Sequence, residues 1–91
     1  MATSTAITFA GDGPATATYV SPGTHVLQVH RANPGRLTIS AAIDDMTPVD
    51  VSRLGDWTEG DVIISVNIPE GINITVTSET AVTTAKTSVP S

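Results

Sequence analysis

Between its turns this chain alternates. In DVIISVNI, Val62, Ile64, Val66 and Ile68 share one parity, with Ile63, Ser65 and Asn67 on the other. GRLTISAAIDD sets Leu37, Ile39, Ala41 and Ile43 against Thr38, Ser40, Ala42 and Asp44, and INITVT sets Ile72, Ile74 and Val76 against Asn73, Thr75 and Thr77. Successive side chains on a strand point to opposite faces, so this period specifies strands with one face on a core and excludes amphipathic helices. Each run is short and stopped by turn chemistry: Gly11-Asp-Gly-Pro14, Ser21-Pro-Gly23, Asn33-Pro-Gly35 and Pro69-Glu-Gly71. Glycine supplies positive φ at such points and proline presets the bend. The side chains agree, since 10 Val, 8 Ile and 15 Thr stand against 3 Leu. β-branched residues are stiff at χ1 and pack well on a pleated surface.

These runs predict a first strand beginning at Ile7 to Phe9 and a second over Ala15 to Val20 that pairs nearby. Thr24 to Arg31 and Arg36 to Ile43 are expected to form a hairpin about the Asn33-Pro-Gly35 turn. Met46 to Val51 reads as a short edge strand because of Pro48, followed by an irregular loop from Ser52 to Gly60. Asp61 to Ile68, Ile72 to Thr77 and Ala81 to Lys86 complete the set. Seven or eight short strands at roughly ten-residue spacing are the signature of an all-β antiparallel sandwich, Ig-like or jelly-roll-like. The 91 residues suffice for one core. The expected organisation is a flexible N-terminal arm over 1–6, a single sandwich over 7–86 and a polar tail over 87–91. The expected core is Leu27, Val29, Leu37, Ile39, Ile43, Val62, Ile64, Val66, Ile72, Ile74 and Val76.

Charge narrows the partners. Nine acids face four cations, Arg31, Arg36, Arg53 and Lys86, for a net charge of −5. Four dispersed cations build no phosphate-tracking stripe, so nucleic acid is not an expected partner, and the acidity argues against anionic membranes. Without cysteine there is no disulfide framework or thiolate metal site. The start, MATSTAITFA, lacks the basic and apolar regions of a secretory signal. No apolar run approaches the roughly 20 residues of a membrane helix. The expected place is a cytoplasm, or an assembly built there.

Each chemistry-bearing residue has a structural reading. Asp44, Asp45, Asp50, Asp56, Glu59 and Asp61 crowd one segment, but EF-hand spacing fails because Leu54 falls where a ligand oxygen belongs. Short carboxylates close turns by accepting backbone N–H bonds, and that is their expected role. His25 and His30 lie five apart, on opposite faces of one strand, and cannot share a metal. No G-x-S-x-G elbow accompanies either one. Gly11-Asp-Gly13 lacks the Gly-Lys-Ser/Thr ending of a phosphate loop, and Asn73-Ile-Thr75 matches the glycosylation sequon from within a predicted strand. Trp57 and Tyr19 are too few for a sugar-stacking platform; Trp57 is expected to plug the sandwich end or anchor a partner subunit. No catalytic, cofactor-binding or metal-binding residue is expected.

The order of elements carries a resemblance. Pro22-Gly-Thr-His-Val-Leu-Gln-Val-His30 leads to Gly35-Arg-Leu-Thr-Ile-Ser-Ala-Ala-Ile-Asp44, then the short Thr47-Pro-Val49 strand and a Trp-bearing loop. Val62 to Ile68 and the Pro69-Glu-Gly71 turn then lead into Ile72 to Val76. From Gly11 to Glu79 this resembles small β-sandwich structural proteins of tailed bacteriophages, most of all the capsid decoration (cement) proteins. The resemblance implies a non-enzymatic virion protein on the capsid surface, made in the host cytoplasm, bound to the major capsid protein lattice and to copies of itself. The alternatives are another virion part (tail, collar or fibre domain) or a carbohydrate-binding or adhesin module. On a lattice, many weak contacts add up by avidity, and at least one polar arm, 1–6 or 87–91, is expected to reach a neighbouring subunit.

Overall fold

The computed structural model describes residues 3–11, 14–43, 46–51 and 60–89. It is an all-β protein: β1 (Thr3–Ala6), β2 (Ala15–Val20), β3 (His25–Arg31), β4 (Leu37–Ala42), β5 (Val49–Asp50), β6 (Asp61–Val66), β7 (Asn73–Ser78) and β8 (Val82–Val89). Two four-stranded antiparallel sheets, β1-β8-β3-β6 and β2-β7-β4-β5, form a sandwich. The pairs β1·β8, β2·β7, β3·β6 and β4·β5 nest one inside the next along the chain. The chain is thus a long hairpin folded at β4·β5 and rolled so that successive strand pairs fall alternately in the two sheets. The contacts β3·β8 and β4·β7 then join the pairs side by side. That is the strand order of a jelly roll, which decides between the two sandwich types.

The alternation in the sequence becomes the division between core and surface. Leu27 and Val29 on β3 meet Leu37 and Ile39 on β4, Val62, Ile64 and Val66 on β6, and Ile74 and Val76 on β7. Two expected core members differ. Ile43 is 51% exposed, because the β4·β7 ladder ends at Ala42↔Asn73 and the chain then bends, closed by Met46 N–H donating to Ile43 O at 3.0 Å. Ile72 precedes β7 and is only partly buried against the core. Ile68, Ala85, Ala15 and Ala17 are buried in addition.

The expected hairpin of β3 with β4 does not form. β3 has β8 on one side and β6 on the other, and β4 lies in the opposite sheet beside β7 and β5. The Asn33-Pro-Gly35 stretch ends β3 and carries the chain into the other sheet; a turn signal says nothing about which sheet receives the next strand. β2 likewise pairs with distant β7 (Ala17↔Val76) and, among the described residues, meets a near neighbour only at the isolated Ala10↔Thr16 bridge.

Both expected arms are corrected in their described parts, Met1, Ala2, Pro90 and Ser91 lying outside the described residues. Thr3–Ala6 pairs with β8 through Thr3↔Val89 to Ala6↔Lys86, so β8 runs into the segment read as a tail. Ladder bonds come from the backbone and need no apolar side chains, which is why a core-pattern search passes over TSTA and TSV. Ile7 and Phe9 follow β1 as packing residues rather than as a strand, with Ile7 N–H donating to Ala85 O at 3.0 Å.

Candidate functional surfaces

Tyr19 on β2 points inward beside Ile74, and its hydroxyl donates to His25 Nε2 at 2.7 Å. Read in that tautomer, His25 Nδ1–H donates to Gly23 O at 2.7 Å, so a histidine only 1% exposed has both ring nitrogens satisfied. The rings meet edge to face, with centroids 5.6 Å apart. Burial pushes the Tyr19 hydroxyl up to about 12, from an ordinary value of 10.0. Below them Ser21 Oγ donates to Ile68 O at 2.9 Å and accepts Gly23 N–H at 3.1 Å, pinning the Ser-Pro-Gly turn under the chain that leaves β6. These bonds tie β2, the Ser-Pro-Gly turn and the chain leaving β6 together, and each side-chain polar atom of the set has a partner.

At the other end of β3 Arg31 is 5% exposed. Its Nη1 donates to Ser78 Oγ at 3.1 Å and its Nε to Gly60 O at 3.3 Å, while Ser78 Oγ donates to Thr80 O at 2.7 Å. From the sequence Arg31 counts only as one of four dispersed cations, with no face assigned. The signal was present, since Arg31 shares the inward parity of Leu27 and Val29, but a charge at a strand end reads as solvated by default.

The outer face of the β1-β8-β3-β6 sheet carries three cross-strand rows: Ser4, Ser88, Val26 and Ser65; Ala6, Lys86, Gln28 and Ile63; and Thr84, His30 and Asp61. Gln28 Nε2 donates to His30 Nε2 at 2.8 Å, and His30 Nδ1–H then donates to Asp61 Oδ1 at 3.0 Å. The His–Asp order is that of a catalytic relay, yet Gln28 occupies the nitrogen a nucleophile would need. His30 and Asp61 are also open to water, at 46% and 73% side-chain exposure, so screening weakens the pair. Shallow depressions lie beside Lys86, lined by Gln28, Thr84, Ile63 and Ser88. As their five-residue spacing predicts, His25 and His30 are on opposite faces.

The outer face of the other sheet is a grid of small polar groups. Thr16, Thr77 and Thr38 form one row, Thr18, Thr75, Ser40 and Asp50 the next, and Val20, Asn73 and Ala42 the third. Asn73 is exposed at the first position of β7. The described aromatics stand on neither outer face: Tyr19 points inward and Phe9 packs against the core.

Of the acids considered from the sequence, Asp50 is exposed on β5 and Asp61 is held by His30. Asp44, Asp45, Asp56 and Glu59 lie outside the described residues, as do Trp57 and Arg53. Among the described residues no three of His, Cys, Asp and Glu stand together, and no helix is long and apolar enough to cross a membrane. Comparison with known proteins finds no matching family model, curated protein or solved structure.

Proposed function

We propose that this chain is a non-enzymatic structural protein of a tailed-phage virion, one that decorates the capsid by binding its major subunits in many copies. The observation that carries the reading is the nested strand order, because the double-sheet jelly roll recurs in viral capsid domains. That support is analogy at the level of fold. The faces add to it. Both present mostly small hydroxyls, amides and single aliphatic residues, with Lys86, His30 and Asp61 on one and Asp50 on the other, which suits contacts that are individually weak and gain strength by repetition. Lectin domains share the architecture, but sugars are usually held by stacking on exposed aromatic rings, and the described outer faces carry none.

Attachment then falls to the faces and edges of the sandwich and not to free arms, because Thr3–Ala6 and the end of β8 are bound into a ladder. Mixing the protein with undecorated capsids and sedimenting the particles tests the reading. Co-sedimentation that saturates in proportion to capsid subunits is the expected result. Recovery in the supernatant with every capsid tried, alongside binding to purified tails, would move the protein to another virion part.

A further inference from the structure

Three of the four sheet edges are blunted in the ways that protect against stray pairing. β5 has two residues and follows Pro48, and β1 has four. β2 is partly covered, since Thr16 exchanges both backbone bonds with Ala10 at 3.0 Å. The fourth, β6, is six residues long, has no proline or lysine, and among the described residues pairs only with β3.

The phase of its ladder can be read. Arg31 N–H donates to Gly60 O at 2.9 Å, one step beyond His30↔Asp61, so Arg31 and Gly60 form a bonded pair. Bonded pairs recur at every second residue of an antiparallel ladder, which makes Val29–Val62, Leu27–Ile64 and His25–Val66 the others. The N–H and C=O of Asp61, Ile63 and Ser65 therefore point away from β3, to an edge that no other described strand covers. The side chains of the same three residues stand on the outer face, with Ile63 68% exposed.

We propose that β6 pairs with β6 of a second copy about a two-fold axis through Ile63, joining the two sheets into one continuous sheet. Residues opposite each other must share a face, so the axis passes through a residue and not between two. At Ile63 it sets isoleucine against isoleucine and Asp61 against Ser65 of the second copy, and all of these are bonded pairs. The exposed isoleucine is covered by its equivalent. Asp61, already 3.0 Å from its own His30, meets a hydroxyl and not another carboxylate. An axis through Ile64 leaves Ile63 facing Ser65 and carries Asp61 past the end of the strand to Asn67. An axis through Val62 sets Asp61 against Ile63. A single strand edge is far smaller than the roughly 800 Å² per partner of a standard interface, so the dimer is weak and forms at high local concentration. The proposal stands on the β6 ladder and is independent of the virion reading.

Sedimentation equilibrium of the full chain from about 10 μM to about 1 mM should show a monomer passing to a dimer. Ile63→Pro removes an N–H that faces away from β3, a position where an edge strand tolerates proline. It should stay monomeric with an unchanged far-ultraviolet spectrum. The chain has no cysteine, so Ile63→Cys and Ser65→Cys each supply a single probe. Facing Cα atoms of a bonded pair lie about 5.5 Å apart, within disulfide reach, whereas Ser65 faces Asp61. Ile63→Cys should therefore cross-link about tenfold faster than Ser65→Cys. Three results would each overturn the proposal: a wild type that stays monomeric to the top of the range, equal cross-linking rates, or an unfolded Ile63→Pro.

Discussion

Tyr19 shows how one side chain reports on the interior. It is the single tyrosine of the chain, so its phenolate absorbance is free of overlap. Burial raises its ionisation to about 12, against 10.0 for the ordinary group. A folded value above the unfolded one means the neutral form is favoured by folding. That contribution is present in full below pH 10 and is lost as pH rises toward about 12. Alkaline titration of the folded protein should thus give a phenolate midpoint near 12, and unfolding should return it to near 10. The aliphatic core makes a plainer prediction. Ile64 is 9% exposed, and Ile64→Ala should lower the denaturant-derived stability by about 2–5 kcal/mol with the spectrum still β. At this scale the sequence was readable wherever alternation ran unbroken: Val62, Ile64 and Val66 lie where parity puts them. It was unreadable at Ile43, because parity cannot tell where a ladder stops. It went unread at Arg31, where the inward parity of Leu27 and Val29 continues onto a charged residue that is buried.

At the scale of strands, Pro and Gly mark the turns well and the partners not at all. Pro69-Glu-Gly71 turns as expected, with Gly71 at φ +90° and its N–H donating to Ser21 O at 2.9 Å. The turn nonetheless carries the chain from one sheet to the other, as does Asn33-Pro-Gly35. Pairing depends on what the rest of the chain has already bonded, and that information is not local. β1 makes the testable case. A free arm could be removed without effect, but Thr3–Ala6 supplies four ladder pairs to β8. Deleting residues 1–6 should lower the melting temperature by at least about 5 °C, a shift that corresponds to roughly 1 kcal/mol for a domain of this size. Gly60 offers a second test at the β3–β6 junction. A Cβ there would lie 2.8 Å from Arg31 O, so Gly60→Ala must push the two strand ends apart. The cost should be about 1–3 kcal/mol, read as a lower denaturation midpoint than for Gly71→Ser, whose Cβ meets nothing within 4 Å despite its strained φ.

For the whole molecule, composition and turn spacing were enough to give the all-β sandwich, while the jelly-roll order came only from the long-range pairs. The surfaces were least legible, since a Thr-rich outer face and a solvated one read alike. If the acids do no more than shape turns, melting curves in chelator and in millimolar calcium should coincide, because a ligand stabilises only by binding the folded state. A rise of several degrees with calcium would place a site among them. The nesting of the strand pairs also bears on how the chain reaches this state. Ala41↔Val49, Leu27↔Ile64, Ala17↔Val76 and Thr5↔Thr87 close spans of 8, 37, 59 and 82 residues. Formed alone, each longer span costs more chain entropy; formed from the inside outward, each pair shortens the path left for the next. A zipper that starts at β4·β5 is therefore the route of least entropy loss, and so many distant pairings predict folding over milliseconds to seconds. β8 is the last of the eight described strands and yet lies in the middle of its sheet, between β1 and β3. A ribosome must release the chain through β8 before that sheet can exist, so a nascent chain stopped before Val82 should be protease-sensitive in β1, β3 and β6, and one extended past Val89 should become resistant in a single step.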